Sequence, residues 1–276
     1  MLLLYVEAPF AAFRTFTAGW YRPTATFLTP SAAYGVLLNV AGIESRLPEG
    51  KAGHDGKVPA TLLKPVKSQW QDGSGLPPAE LAVGVPEFRL RRGQVVPDEC
   101  GSPFPIVQTI LQQLHNYPVG ASGAGRAEST RGNKYNIQPV RREFLSDLRA
   151  VIAVRGNDEL ADRVRRGLAG EFNAERYGIP FLGDNSFLLD RLEELPNSGP
   201  VRWLERITAE AAAGMRPRTC RMTVFIDRAD LSRTASALFA PQSDAMADAP
   251  PDLAWNSIAP SDDQRAGPEG QATKNA

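Results

Sequence analysis

The sequence predicts an α+β fold, a ferredoxin-like βαββαβ palm carrying a thumb-like insertion and followed by a disordered tail. Three observations predict it. Apolar, strand-like runs and two capped amphipathic segments alternate in the order β, α, β, β, α, β. Residues 93–143, between the second and third strands, are rich in proline and glycine. From Pro241 the chain turns to Ala, Pro, Asp, Ser and Gln with few large apolar groups, a composition that cannot bury enough surface to order itself.

The first strand is Leu2 to Ala8, rich in Leu, Tyr and Val and ended by Pro9. An aromatic loop follows, from Phe10 to Phe27. A helix then spans 30–41. Thr29 can cap it, Pro30 suits the first helical position where no N–H is needed, and Tyr34, Leu37, Leu38 and Ala41 share a face ended by Gly42. Residues 44–82 read as a connection, and Val83 to Leu90 as the second strand. Within 93–143, the run Gly-Ala-Ser-Gly-Ala-Gly at 120–125 reads as a flexible loop. Phe144 to Val154 is assigned as a strand because Val151, Ile152 and Val154 are β-branched. Asn157 caps a helix to Leu168 with Leu160, Val164 and Leu168 on one face. Residues 178–190 read as a loop entering a short helix, 203–213 as a helix from their Ala and Glu content, and Cys220 to Asp227 as the last strand. The expected organisation is one domain over 1–240, with 93–143 as its insertion, and a tail over 241–276.

Composition removes several functions. The longest early apolar run is stopped by Glu7 and Pro9, short of the roughly 20 residues a membrane span needs, and no basic segment precedes it as in a secretion signal. Cys100 and Cys220 lack CxxC spacing, and His54 and His115 lie near neither, so no metal site and no cofactor is expected. Two distant thiols suit a reducing cytoplasm. No Ser-His-Asp set or phosphate-binding glycine motif is present, and Asp227 with Asp230 reads as local turn chemistry.

Formal net charge is zero, from 31 basic and 31 acidic residues, but the charge is unevenly placed. Residues 241–276 hold six acids and two bases, which leaves 29 bases against 25 acids, a net +4, on residues 1–240. Arg126, Arg131, Lys134, Arg141 and Arg142 cluster against a single acid, Glu128. A local basic surface is what a phosphate backbone requires.

Three segments are candidates for nucleic-acid contact. Phe13, Arg14, Phe16, Trp20, Tyr21 and Arg22 supply the rings and guanidinium planes on which splayed bases stack, or else core aromatics beside solvated arginines. Thr29, Ser31 and Tyr34 stand at a helix start, which either binds phosphate or is simply capped. Arg126, Arg131, Lys134, Tyr135, Arg141 and Arg142 follow the glycine-rich run and suit a backbone clamp or a solvated loop.

Four stretches carry a family resemblance: Glu7 to Arg14 (EAPFAAFR), Phe27 to Gly35 (FLTPSAAYG), Arg176 to Asp184 (RYGIPFLGD) and Phe225 to Asp230 (FIDRAD). In this order along a βαββαβ chain, over roughly residues 1–235, the sequence resembles the fifth Cas family, in its DevS-like branch of the RAMP superfamily. The resemblance implies an RRM-like palm, the topology shared with RNA-recognition modules. It also implies a non-catalytic role: the subunit grips the 5′ handle of crRNA at one end of a type I Cascade complex in antiviral defence. The implied partners are the backbone subunit, which it caps, and the large PAM-reading subunit, with target DNA met only through the complex and no membrane. Some relatives cut crRNA with a Tyr, Lys and His cluster, so a metal-independent endoribonuclease is the alternative. No matching trio can be placed: Lys134 and Tyr135 are adjacent, which points their side chains apart in a strand, and His115 lacks an evident partner.

Overall fold

The computed structural model describes residues 1–15, 20–43, 76–98, 101–116, 136–174, 176, 178–208, 216–226 and 234–258. Twelve strands and two α-helices are assigned among them. In order they are β1 (Leu2–Ala11), β2 (Tyr21–Arg22), α1 (Pro30–Val40), β3 (Glu80–Pro86), β4 (Phe88–Arg91), β5 (Gln94–Pro97), β6 (Ile106–Asn116) and β7 (Asn136–Arg155). These are followed by α2 (Asp158–Leu168), β8 (Arg191–Glu194), β9 (Val201–Arg206), β10 (Cys220–Phe225), β11 (Ala235–Pro241) and β12 (Asn256–Ser257). The fold is mixed and sheet-rich.

The sheet runs β10-β11-β9-β3-β7-β1-β8, with β2 and β6 added to β7 and β12 added to β3. Strand β7 is its axis. It is antiparallel to β1 from Leu2↔Val154 to Ala11↔Leu145, and to β3 from Glu80↔Arg155 to Gly84↔Val151. No ladder pair forms at Pro9, which has no N–H to give; Asp147 lies in the left-handed region (φ 57°), and pairing resumes at Phe10↔Ser146. The strand thus passes the proline at which the sequence pattern ended it.

Alternation along β1 builds two cores. Leu2, Leu4 and Val6 join Leu81, Val83, Ile152 and Val154 beneath the helices. Both helices start as expected: Thr29 accepts from the Ala32 amide (3.2 Å) and Asn157 from the Leu160 amide (2.9 Å). They approach so closely that a Cβ on Gly167 would stand 1.9 Å from the Val40 carbonyl oxygen. The opposite residues, Leu3, Tyr5, Ala82, Val151 and Ala153, meet Phe88, Leu90, Trp203 and Ala254.

That second face is covered by the β4–β5 hairpin and by Ala254 and Trp255, after which β12 pairs with β3 and Ile258 enters the first core. The hairpin turns at Arg92 (φ 53°) and Gly93 (φ 74°), the double positive φ of a two-residue turn that matches strand twist. A chain of ion pairs fastens it. Arg89 bonds Glu7 (2.9 Å), Asp98 (3.1 Å) and Asp147 (2.7 Å), and the fully buried Arg149 bonds Asp98 and the Ser102 carbonyl.

Five expectations are corrected. The predicted strand Val83–Leu90 is two strands in different sheets, split at Glu87. The irregular insertion 93–143 contains β5, β6 and the first part of β7; Ile106–Asn116 pairs along its whole length with Asn136–Ser146. Its prolines misled the pattern, but Pro139 sits where β7 has β6 on one side and no described strand on the other, a place that tolerates a missing donor. The predicted helix 203–213 begins as β9, held between β3 and β11, so tertiary pairing overrides Ala/Glu propensity. The loop 178–190 leads into β8, not a helix, and β8 is the strand beside β1; the expected closing strand, Cys220–Asp227, forms as β10 at the far end. Finally, the tail expected to be disordered from 241 is packed as far as Ile258. Asn256 pairs with Leu81, the Ile258 amide bonds Ala79 O (3.0 Å), and Ala254, Asn256 and Ile258 are buried. The few apolar residues there suffice because the sheet face was already built to receive them.

Candidate nucleic-acid interface

Beyond its pairing with β1, β7 continues as an arm flanked by β6 and, on its other edge, by the short parallel strand β2. Tyr21 lies beside Arg141 and Arg22 beside Arg142, and the Trp20 carbonyl accepts the Arg141 amide (2.8 Å). Because successive residues point to opposite faces, this register sorts the charged side chains into two sets.

On one face lie Arg22 and Arg142, with Arg14 close by. Arg14 follows the end of β1 and bridges to Thr24. Burial and the neighbouring Arg14 and Arg142 charges hold the Arg22 guanidinium below its ordinary pKa. Arg142 bonds Asp184 (2.7 Å) and lies 5.3 Å from the Phe187 ring centroid. Phe187 closes a triad with Phe10 and Phe144, centroids 5.7 to 6.1 Å apart. Phe10 is 44% exposed, so the triad offers an aromatic surface beside the cations. Neither Arg14 nor Arg22 pairs with a carboxylate among the described residues. Two guanidiniums without a neutralising acid, gathered beside a third that Asp184 holds, favour an anionic partner.

On the other face, Trp20, Tyr21, Thr109, Leu111 and Arg141 line a cleft of about 690 Å³. Glu143 organises it: one carboxylate oxygen accepts the Tyr21 hydroxyl, the other the Thr24 amide (3.0 Å). This hydrogen bond, with lesser burial, raises the Tyr21 pKa and keeps its phenol protonated.

The family model described as CRISPR-associated protein (Cas_Cas5) matches residues 1–209. The chain belongs to the Cas5 family. The match takes in β1 to β9, with the arm and both faces of the cluster, and stops before the Phe225–Asp230 stretch. No curated protein matches. Among solved structures, a chain of a CRISPR RNA-guided surveillance complex is similar over 88% of this chain and 90% of its own, at 13% identity and a TM-score of 0.48. A crystal structure of a Cas protein is similar over 87% of this chain and 93% of its own, at 12% identity and a TM-score of 0.40.

In this Cas5-family chain the structure gathers six of the expected contact residues: Arg14, Trp20, Tyr21, Arg22, Arg141 and Arg142. It withdraws others. Phe13 is 4% exposed and packs in the core, so its ring has no face to offer a base. Thr29 is spent on the helix cap and shares a hydrogen bond with the half-buried Ser31 (3.2 Å), which favours capping over a phosphate site. Tyr34 is buried, and its hydroxyl donates to the Pro77 carbonyl (2.6 Å). Phe16, Arg126, Arg131, Lys134 and Tyr135 lie outside the described residues. The sequence reading missed Phe10, Phe144 and Phe187 as a platform. Phe10 and Phe144 were legible as strand-end aromatics, but nothing local links them to Phe187.

The helix-free sheet face, on which RNA-recognition modules stack bases, is closed here: Tyr5 is fully buried under the β4–β5 hairpin. The exposed rings and unpaired guanidiniums lie instead on and beside the arm. Among the described residues no cluster of three His, Cys, Asp or Glu could hold a metal, and no helix is long and apolar enough to cross a membrane.

Proposed function

We propose that this Cas5-family protein is the RNA-binding subunit of a type I CRISPR effector complex that grips the 5′ handle of crRNA without cutting it. It acts in the cytoplasm, caps the backbone filament and abuts the large subunit. Target DNA is met through the complex, and sequence recognition is left to base pairing. In this reading β3-β7-β1-β8 with α1 and α2 is the ferredoxin-like palm, β8 taking the place of the last strand.

The observation that carries the proposal is the gathering of Arg14 and Arg22, neither paired with a described carboxylate, and of the Asp184-bonded Arg142 beside the Phe10 platform. Guanidiniums bind phosphates bidentately, and exposed rings hold unstacked bases, the pairing that single-stranded RNA requires. The test is binding of repeat-derived crRNA by purified protein across a salt series. Arg22→Ala should lower affinity and reduce the slope of log K against log salt by about 0.7, one phosphate contact on a single strand. An unchanged affinity and slope in this variant would remove the trio from the RNA interface.

A further inference from the structure

The cleft on the opposite face of the arm has a geometry of its own. Arg141 stands over the Trp20 ring at 5.8 Å from the centroid. Other guanidinium–ring distances among the described residues run from 4.1 Å, for Arg155 on Trp255, to 5.3 Å, for Arg142 on Phe187. The Arg141–Trp20 gap is thus wider than the first of these by 1.7 Å (5.8 less 4.1). A flat ring held between two planes needs about 7 Å, two stacking steps of 3.4 Å. The pair is a loose contact, and becomes a sandwich only if it opens further.

Neither half of the sandwich is engaged in a way that would forbid this. Trp20 is 59% exposed, and Arg141 makes no ion pair with a described acid: Glu143, the nearest carboxylate along its strand, is occupied by Tyr21 and Thr24. The rim adds a hydroxyl from Thr109 and an apolar floor from Leu111. The phenolic oxygen of Tyr21, its proton committed to Glu143, is left as an acceptor. The cleft therefore offers two planes, a cation, a hydroxyl and an acceptor within about 690 Å³, a volume within the range of small-ligand sites.

We propose that this cleft takes one unstacked nucleobase of the bound RNA between Trp20 and Arg141, its edge facing Tyr21 and Thr109. The inference rests on the RNA-binding reading and deepens it. Phosphates are held on the Arg14/Arg22/Arg142 face, which is salt-sensitive and blind to sequence, while this cleft on the reverse face reads a base by stacking.

The test uses the full-length protein and repeat-derived RNA carrying 2-aminopurine at one position at a time. One position should change fluorescence on binding far more than its neighbours. Trp20→Ala should abolish that signal and weaken binding about tenfold, with the salt slope unchanged. Trp20→Phe should restore part of both, and the melting temperatures should match wild type because the ring is exposed. Binding without any position-specific signal, or with a signal that Trp20→Ala leaves intact, overturns the cleft assignment while leaving the RNA-binding function in place. Affinity unchanged in Trp20→Ala overturns it too and gives the cleft to a protein partner. Failure of the wild-type protein to bind RNA at all overturns both readings.

Discussion

Glu143 accepts the hydroxyl of Tyr21 from the neighbouring strand, and its second oxygen takes the Thr24 amide, so one carboxylate fixes the 20–24 segment to the arm. This contact holds Trp20 and Arg22 in place on opposite faces. Glu143→Ala should free the segment and weaken crRNA binding several-fold, although no phosphate contact is removed. The salt slope should stay near wild type, and that separates a positioning defect from lost charge neutralisation. Because Tyr21 is exposed, the melting temperature should fall by only a few degrees. A full loss of binding accompanied by a reduced slope would mean that Glu143 acts by another route.

Truncation tests the C-terminal segment. Removing residues 242–276 strips Ala254, Asn256 and Ile258 from the sheet, along with the Gln242 amide bond to the Trp203 carbonyl (3.0 Å). Burial of Ile258 alone is worth about 1.5–3 kcal/mol. The shortened protein should melt far below wild type or fail to fold. Removing only 259–276, which carry Asp262, Asp263 and Glu269, should leave melting unchanged and RNA affinity equal or slightly higher, since these acids repel phosphate. Equal melting of both truncations would refute the packing role.

Cleavage of repeat RNA is not expected, with or without EDTA. At neutral pH a general base must give up or accept a proton near that pH, and Tyr21, which lies beside Arg141 on the arm, is held in its protonated form by Glu143. A single-site cut that survives EDTA and disappears in Tyr21→Phe or His115→Ala would make the protein a nuclease.

How much of this was legible follows from what is local. The capping pairs Thr29/Ala32 and Asn157/Leu160 are set by neighbours in sequence, and both helices fall within a residue of expectation. Strand β9 was misread because Ala and Glu content speaks for a helix, while Gly84 shows what decides: a Cβ there would come within 2.3 Å of Val201, so β3 is shaped to admit β9. That fit spans more than a hundred residues and leaves no local trace. The same holds for the site. Arg14 and Arg22 could be proposed from their aromatic neighbourhood, but their meeting with Arg142 depends on the β2–β7 register, which no periodicity encodes. Phe13, in the same neighbourhood, differs only in which way its strand end turns.

Alkaline titration probes two buried phenols, those of Tyr5 and Tyr34. Burial raises the pKa of both Tyr5 and Tyr34 well above the ordinary 10.0. Below pH 10 both are neutral folded or unfolded, so they add no pH dependence. Above it only the unfolded chain ionises them, and stability falls as pH rises from 10 toward their folded values, by about 1.4 kcal/mol per pH unit for each. Tyr34→Phe should lower stability at pH 7 by the lost bond to Pro77 O, yet flatten the decline above pH 10. Denaturant midpoints measured from pH 8 to 11 check this, and parallel curves for variant and wild type would contradict it.

The last prediction sets two arginines against each other. Arg14 is exposed, and the acid nearest it in sequence, Glu7, belongs to another partner: Glu7 takes Arg89 at 2.9 Å and the Tyr5 hydroxyl at 3.2 Å. Removing Arg14 therefore strands no carboxylate. Arg14→Ala should leave the melting temperature within a degree or two and reduce the salt slope of RNA binding by about one phosphate contact. Arg89 is the reverse case. It is mostly buried and neutralises Glu7, Asp98 and Asp147 together. Breaking such a network by removing one member costs about 3–5 kcal/mol, because the remaining charges stay behind in a poor solvent for them. Arg149 also bonds Asp98 and reaches Asp147 at 3.5 Å, and Arg191 reaches Glu7 at 3.6 Å, but these contacts do not replace the hydrogen bonds that Arg89 gives to Glu7 and Asp147. Arg89→Ala should thus lower melting sharply, while RNA affinity per folded molecule holds, since Arg89 belongs to the β4–β5 hairpin and its guanidinium is taken up by three acids. Melting and a salt series on both variants decide the matter. A large melting loss in Arg14→Ala with unchanged RNA affinity would sink its assignment to the RNA interface and mark it as a structural arginine instead.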